Sequence, residues 1–144
     1  MSLSENERQI IVSRELEKAD RTYDDMSFCA NEGKWEAAAN RLYYALFHAM
    51  SALLINDGYI VKSHRGVMAM FGEHFVKTGI FTKQDGALLS ELVIMRDNAD
   101  YNCFFEADEE KLKPFLEPTQ QLIEKNRIFQ TNSSYSLKVK TFFS

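Results

Sequence analysis

The chain has 144 residues, 45% hydrophobic and 26% charged, the make-up of one soluble globular domain rather than a disordered or fibrous chain. Its net charge of −4 resides in residues 1–40, with five basic and nine acidic side chains, whereas residues 41–101 and 102–144 each carry six of either sign. That balance excludes attraction to nucleic acid by bulk charge, so any RNA contact needs a local patch.

The opening MSLSENERQ is polar and mixed in charge, and is not read as a signal peptide. Residues 5–31 predict a first helix. Ile11, Leu16, Ala19, Tyr23, Met26 and Ala30 keep a rough three-four period, and charged residues fill the other faces. Asn31-Glu32-Gly33 closes it, with the glycine suited to a left-handed cap. The short link predicts an antiparallel return. Trp35–Ile55 follows and is apolar over most of its circumference, which predicts a central helix buried by several neighbours. A membrane span is the rival reading. It would place Asn40, Arg41 and His48 in hydrocarbon, where such groups are costly.

Asn56-Asp57-Gly58 is a turn signal, and Ser63 is a suitable N-cap for a third helix over residues 64–79. Gly66 and Gly72 predict that this helix is short or irregular, with Val67, Met70, Phe71, His74 and Phe75 inward. Thr82 caps a fourth helix from Lys83 to about Asn102, with Leu88, Leu89, Leu92, Met95 and Ala99 inward. Asp108 caps a fifth. Pro114 and Pro118 predict a kink in it, or a restart near Pro118. The expected fold class is all-α, an up-and-down bundle of four to five helices over residues 1–130. Residues 131–144 are expected to form a C-terminal tail, flexible or pinned by Phe142 and Phe143. Cys29 and Cys103 lack metal-ligand spacing and read as reduced thiols in or near the core of a cytoplasmic protein.

Two polar constellations stand out. Arg41 and His48 are seven apart and share a face of the central helix with Ala45 and Ala52. Their expected role is structural, with Arg41 paired to a carboxylate of a neighbouring helix. Arg96-Asp97-Asn98-Ala99-Asp100-Tyr101 ends the fourth helix, with Arg96 and Asp100 spaced to pair. It reads either as a solvated helix end or as an arginine-centred phosphate site. No HExxH, glycine-rich phosphate loop or nucleophile elbow accompanies His48, His64 and His74, so neither a metal nor a cofactor is expected.

Three segments in order resemble the HEPN family of all-helical prokaryotic domains: NRLYYALFHAMSALL, SHRGVMAMFGEHFVKTG and RDNADY. The resemblance spans roughly residues 8–127, and the first segment is the most specific. It implies a helical bundle, generally a homodimer, in which arginine motifs of two subunits face one another across a cleft. Many members of that family are metal-independent RNases, some acting as toxins or in phage defence; others pair with a small nucleotidyltransferase. The family's catalytic histidine should follow Arg96 by five to seven residues, and Tyr101, Asn102 and Cys103 stand there instead. Histidine titrates near neutrality, whereas tyrosine, near pKa 10, is a poor base. The leading expectation is therefore a non-catalytic or weakly active binding module. It would be dimeric and soluble, taking RNA, a nucleotide or a partner nucleotidyltransferase through Arg96 and Asn98. Arg41, His48, Asp97 and Asp100 would form its structural polar core. The alternatives are a metal-independent RNase using Arg96 and Tyr101, and a structural helical adaptor.

Overall fold

The computed structural model describes residues 3–143, and side chains as far as residue 132. Five α-helices follow in order: α1 (Glu5–Asn31), α2 (Trp35–Asn56), α3 (His64–Phe71), α4 (Lys83–Tyr101) and α5 (Glu109–Phe143). A single π-helical turn, Gly72–Val76, extends α3. No strand occurs among the described residues.

Local chemistry sets the ends of these helices. Ser4 and Glu7 form a reciprocal capping box on α1, and Thr82 and Asp85 do the same on α4, satisfying first-turn N–H groups. Ser63 Oγ accepts from the Gly66 N–H at 3.0 Å, and Asp108 Oδ1 accepts from the Lys111 N–H at 2.9 Å. After α1 the chain reverses at Gly33, whose φ of 72° is the left-handed conformation that a glycine adopts without steric cost. The third helix is shortened, as its glycines predict: at Gly72 the i→i+4 ladder widens, and the Gly72 carbonyl accepts from Lys77 N–H at 2.8 Å.

Of the two outcomes expected from the prolines, the restart near Pro118 does not occur. α5 runs through Pro114 and Pro118 without restarting. Both residues are exposed and four apart, so they share the solvent side, where the Glu110 and Pro114 carbonyls they leave without partners can be hydrated. The backbone of α5 continues beyond residue 130 to Phe143; the expected pinning by Phe142 and Phe143 lies outside the described side chains. A second correction concerns the thiols: Cys29 is half-buried, but Cys103 is exposed in the link after α4.

α2 is the hub. Ala38, Leu42, Tyr43, Leu46, Met50, Leu53 and Leu54 are all fully buried, against α1 along its length and against α4 and α5 on other sides. Gln9 bonds Asn56 and Glu15 bonds His48, pairings that run in opposite directions and show α1 and α2 to be antiparallel. No described helix is long and apolar enough to cross a membrane.

One polar contact crosses this core. Asn126 of α5, fully buried, donates Nδ2–H to the Ala49 carbonyl of α2 at 2.7 Å and accepts from Gln130. A buried amide left half-paired loses more than a neutral bond is worth. Asn126→Ala removes the α5–α2 tie and strands Gln130; we expect a loss of about 1–3 kcal/mol, read as a lower urea midpoint at unchanged m-value.

Candidate functional site

The α2–α4 seam gathers the polar residues that the sequence separates. On α2, Asn40, Tyr43, Tyr44, Phe47 and His48 recur at three-four spacing and therefore share one broad face. The last turns of α4 bring Arg96, Asp97 and Asp100 against it, and the first residue of α3 adds His64.

Arg96 sits at the middle. Its guanidinium carbon lies 5.1 Å from the centroid of Tyr43, 5.6 Å from Tyr44 and 6.0 Å from Tyr101. Nη2 meets Asp97 Oδ1 at 3.1 Å, and Nη1 meets Asp100 Oδ2 at 4.0 Å, the i,i+4 pairing that the spacing predicts. The side chain is 15% exposed, and its Nε is buried with no hydrogen-bond partner among the described residues. Each stacked ring contributes about 0.5–2 kcal/mol, so the tyrosines hold the cation as firmly as the carboxylates do.

Arg41 departs from its expected role. It makes no carboxylate ion pair among the described residues. Its Nε and Nη2 donate to Asn40 Oδ1 at 3.0 and 2.7 Å, and the guanidinium lies 5.3 Å over Tyr44. Asn40 in turn donates to Asp100 Oδ2 at 2.9 Å, so an amide relays Arg41 to the carboxylate. The reason is exposure: Arg41 is only half-buried, and a partly hydrated guanidinium does not require a counter-charge.

His48, seven residues on, turns to the other neighbour. Its Nδ1 meets Glu15 Oε2 of α1 at 2.7 Å. Arg41, His48, Asp97 and Asp100 therefore do not converge: His48 joins α1 to α2, and the other three line the α2–α4 seam, with Asp97 half-exposed. Asn98 is half-buried on α4, and its Oδ1 accepts from Asn102 Nδ2 at 3.3 Å; no hydrogen bond joins it to Arg96 among the described residues. Tyr101 is 77% exposed beside the cation.

The residues that sequence reasoning missed are Tyr43, Tyr44 and His64. Tyr43 is fully buried, and its hydroxyl meets His64 Nδ1 at 2.7 Å. Burial pushes the Tyr43 phenol up to about 12, against the pull of Arg96. His64 stacks on Phe47 with centroids 4.3 Å apart. Its pKa is lowered by burial and by the positive charges of Arg96 and His48, with Asp97 opposing. The pairs Tyr43-Tyr44 and Ser63-His64 were visible as motifs, but nothing in their spacing shows that they meet at Arg96. No three described His, Cys, Asp or Glu side chains converge as a metal site would need.

Glu15 is held below its usual pKa by the hydrogen bond from His48, with burial opposing and the positive charges of His48 and Lys18 adding. A depressed carboxylate stabilises the fold fully above its unfolded pKa of 4.5, and that contribution is lost as pH falls through the lower folded value. Glu15→Gln is expected to lose about 0.5–1 kcal/mol at pH 7, the difference from wild type shrinking below pH 4.5 in urea melts taken across that range.

Comparison with known proteins agrees with this architecture. A family model described as HEPN domain matches residues 12–128. A UPF0332 protein of Thermotoga maritima is 34% identical over 126 residues, covering 83% of this chain and 96% of the relative. A Methanocaldococcus jannaschii protein, named as a toxin candidate, is 29% identical over 70% of this chain and 69% of its own length. A second protein of that organism, similarly named, is 37% identical over 51% of this chain and 54% of its own.

Proposed function

The chain belongs to the HEPN domain family, and on that premise we propose that it is a dimeric binding module whose Arg96 face recognises the phosphates of RNA or of a nucleotide. The observation that carries this reading is the holding of Arg96. Its position is fixed by Tyr43 and Tyr44, which a ligand need not disturb. Its closest anion, Asp97, is half-exposed at 3.1 Å. A surface ion pair of that kind is worth about 0–1 kcal/mol, whereas a charge-assisted bond to phosphate is worth about 1.5–3 kcal/mol. Phosphate can therefore replace Asp97 while the aromatic clamp stays closed. Arg41, half-buried and bonded only to a neutral amide, offers a second cation on the same seam.

The dimer is supported by apolar surface. Ile94 and Tyr101, seven apart on one face of α4, are 61% and 77% exposed, and Phe104 just beyond is 94% exposed. A second copy seated there would set two Arg96 sites near one another, the arrangement that the family resemblance implies. Two relatives named as toxin candidates fit engagement by a partner protein, and a nucleotidyltransferase is the class of partner that the family resemblance implies.

For catalysis the reading is restrictive. Tyr101 stands where a histidine is expected, exposed and near the Arg96 cation, and it lacks the imidazole that suits general-base work. It serves as a hydrogen-bond donor rather than a base.

Arg96→Ala is expected to weaken binding of a labelled single-stranded RNA about tenfold or more by fluorescence anisotropy, and to lower the salt slope by about one. Circular dichroism should report the bundle intact. In a metal-free cleavage assay with EDTA, wild type should leave the RNA whole; cleavage that Arg96→Ala abolishes would overturn the non-catalytic reading in favour of an RNase. Ile94→Glu, which places a charge in the apolar strip, should shift the protein from dimer to monomer by light scattering, with a retained helical spectrum; a wild-type monomer would remove the dimer from the proposal.

A further inference from the structure

Between α2 and the start of α3 lies a contact that the Arg96 reading does not use. Tyr43 is sequestered from solvent, yet its hydroxyl reaches His64 Nδ1 at 2.7 Å, while His64 itself remains substantially exposed. The two nitrogens of an imidazole lie on different edges of the ring. With Nδ1 turned inward to Tyr43, Nε2 is left on the outward edge. Phe47 stacks on the ring at 4.3 Å and 14°, and Tyr44 meets it edge-on at 5.5 Å and 88°, so the ring plane is fixed as well as its inner edge.

We propose that His64, oriented by Tyr43, is a second phosphate ligand that donates from Nε2, and that the face therefore takes a strand with successive phosphates, single-stranded RNA, in preference to a mononucleotide. The inference rests on the Arg96 phosphate reading and extends it by one ligand, His64, which selects between the two ligands that reading leaves open.

The proton assignment follows from who can donate. At neutral pH the Tyr43 hydroxyl keeps its proton, and no other acceptor for it is described. It donates to Nδ1, which must then be bare, so the neutral ring carries its own proton on Nε2. Everything around the ring favours that neutral form except one group. Arg96 on α4 and His48 on α2 disfavour a second positive charge, as does partial burial, with Asp97 on α4 acting the other way. Position adds to this: His64 opens α3, at the positive end of the helix dipole. Glu15 of α1 is engaged by His48, and Arg65 beside His64 is exposed. A neutral donor held rigidly outward makes a hydrogen bond to a phosphate oxygen without adding charge.

Tyr43 and Tyr44 also set the spacing. Both rings contact the Arg96 guanidinium, and both contact the His64 ring, so the two donors flank a common aromatic wall. One phosphate on Arg96 and another on His64 would place the intervening nucleoside beside Tyr44, the half-buried member of the pair, where stacking favours a base of any identity, while Tyr43 stays closed to solvent behind it. A mononucleotide has a phosphate for one donor only.

The test combines a ligand-free observation with binding. Long-range ¹H–¹⁵N NMR of the free protein at pH 7.5 should show His64 as the Nε2–H tautomer, and Tyr43→Phe should mix the tautomers. Anisotropy with a labelled uridine 12-mer should show His64→Ala binding about fivefold more weakly than wild type, with His64→Gln, which keeps an outward N–H, restored to within about twofold. Binding of uridine 5′-monophosphate, followed by NMR shifts, should be unchanged in His64→Ala and lost in Arg96→Ala. An Nδ1–H tautomer overturns the inference. So does an RNA affinity unchanged in His64→Ala while Arg96→Ala weakens it, an outcome that leaves the Arg96 reading standing. Equal losses for the 12-mer and the mononucleotide in His64→Ala overturn the choice of strand. An Arg96→Ala variant that binds RNA like wild type sinks the underlying phosphate reading, and a wild type that binds no RNA sinks both.

Discussion

The structure turns on how a mostly buried guanidinium is kept at the edge of an apolar helix. α2 is nearly all hydrocarbon, and a cation pressed against it must be compensated. Two tyrosine rings at 5.1 and 5.6 Å share that compensation with the carboxylates of Asp97 and Asp100 on the water side. The same rings serve two masters. Tyr43 and Tyr44 pack in or against the core of the bundle, and they also form the wall of the polar site. Folding and site assembly are consequently one event: α4 docks on α2 through Leu89, Leu92 and their neighbours, and docking delivers Arg96 to the rings.

How much of this could be read beforehand differs by kind of information. Helix positions were legible because capping residues act locally: Ser63, Thr82 and Asp108 begin helices where their side chains can reach the N–H groups three residues on. The shortened third helix was legible for the same reason, since Gly72 weakens its own turn. That no restart follows Pro118 was not legible, because a proline's effect depends on which side of the helix it falls, and the common solvent face of Pro114 and Pro118 is a tertiary fact. Cys103 was placed too deep: the absence of metal-ligand spacing says nothing of burial, and the residue lies exposed in the link after α4.

The site was half legible. Arg96 was singled out because a polar run after LLSELVIM is unusual, and its i,i+4 pairing with Asp100 followed from helix geometry. The partners that define it were not. Tyr43 lies 53 residues before Arg96, and His64 lies 32 before it; no periodicity links such separations. Arg41 illustrates the converse. A buried arginine predicts a carboxylate, and Asp100 is indeed nearby, but Asn40 intervenes because its amide can accept from Arg41 with its oxygen and donate to Asp100 with its nitrogen. A bifunctional side chain of this sort satisfies both ions without bringing them together.

The acidic neighbours of Arg96 bear on what can occupy the site. Asp97 and Asp100 oppose any anion, so a ligand must offer more than a single negative charge near the guanidinium. Coulombic attraction alone does not discriminate in its favour, because each carboxylate already provides that attraction intramolecularly at no cost in translational entropy. What the carboxylates cannot provide is reach: Asp97 and Asp100 sit on the same turn of α4 as Arg96, whereas Arg41 and His64 lie along α2 and at the start of α3. A ligand that contacts Arg96 and also continues past the half-buried Tyr44 would gain contacts closed to the intramolecular competitors. On the proposed reading, aspartates placed beside the arginine therefore weaken the hold on a small anion relative to an extended polyanion. The acidic charge of the chain as a whole acts in the same direction, since it leaves little non-specific attraction to compete with recognition at this seam.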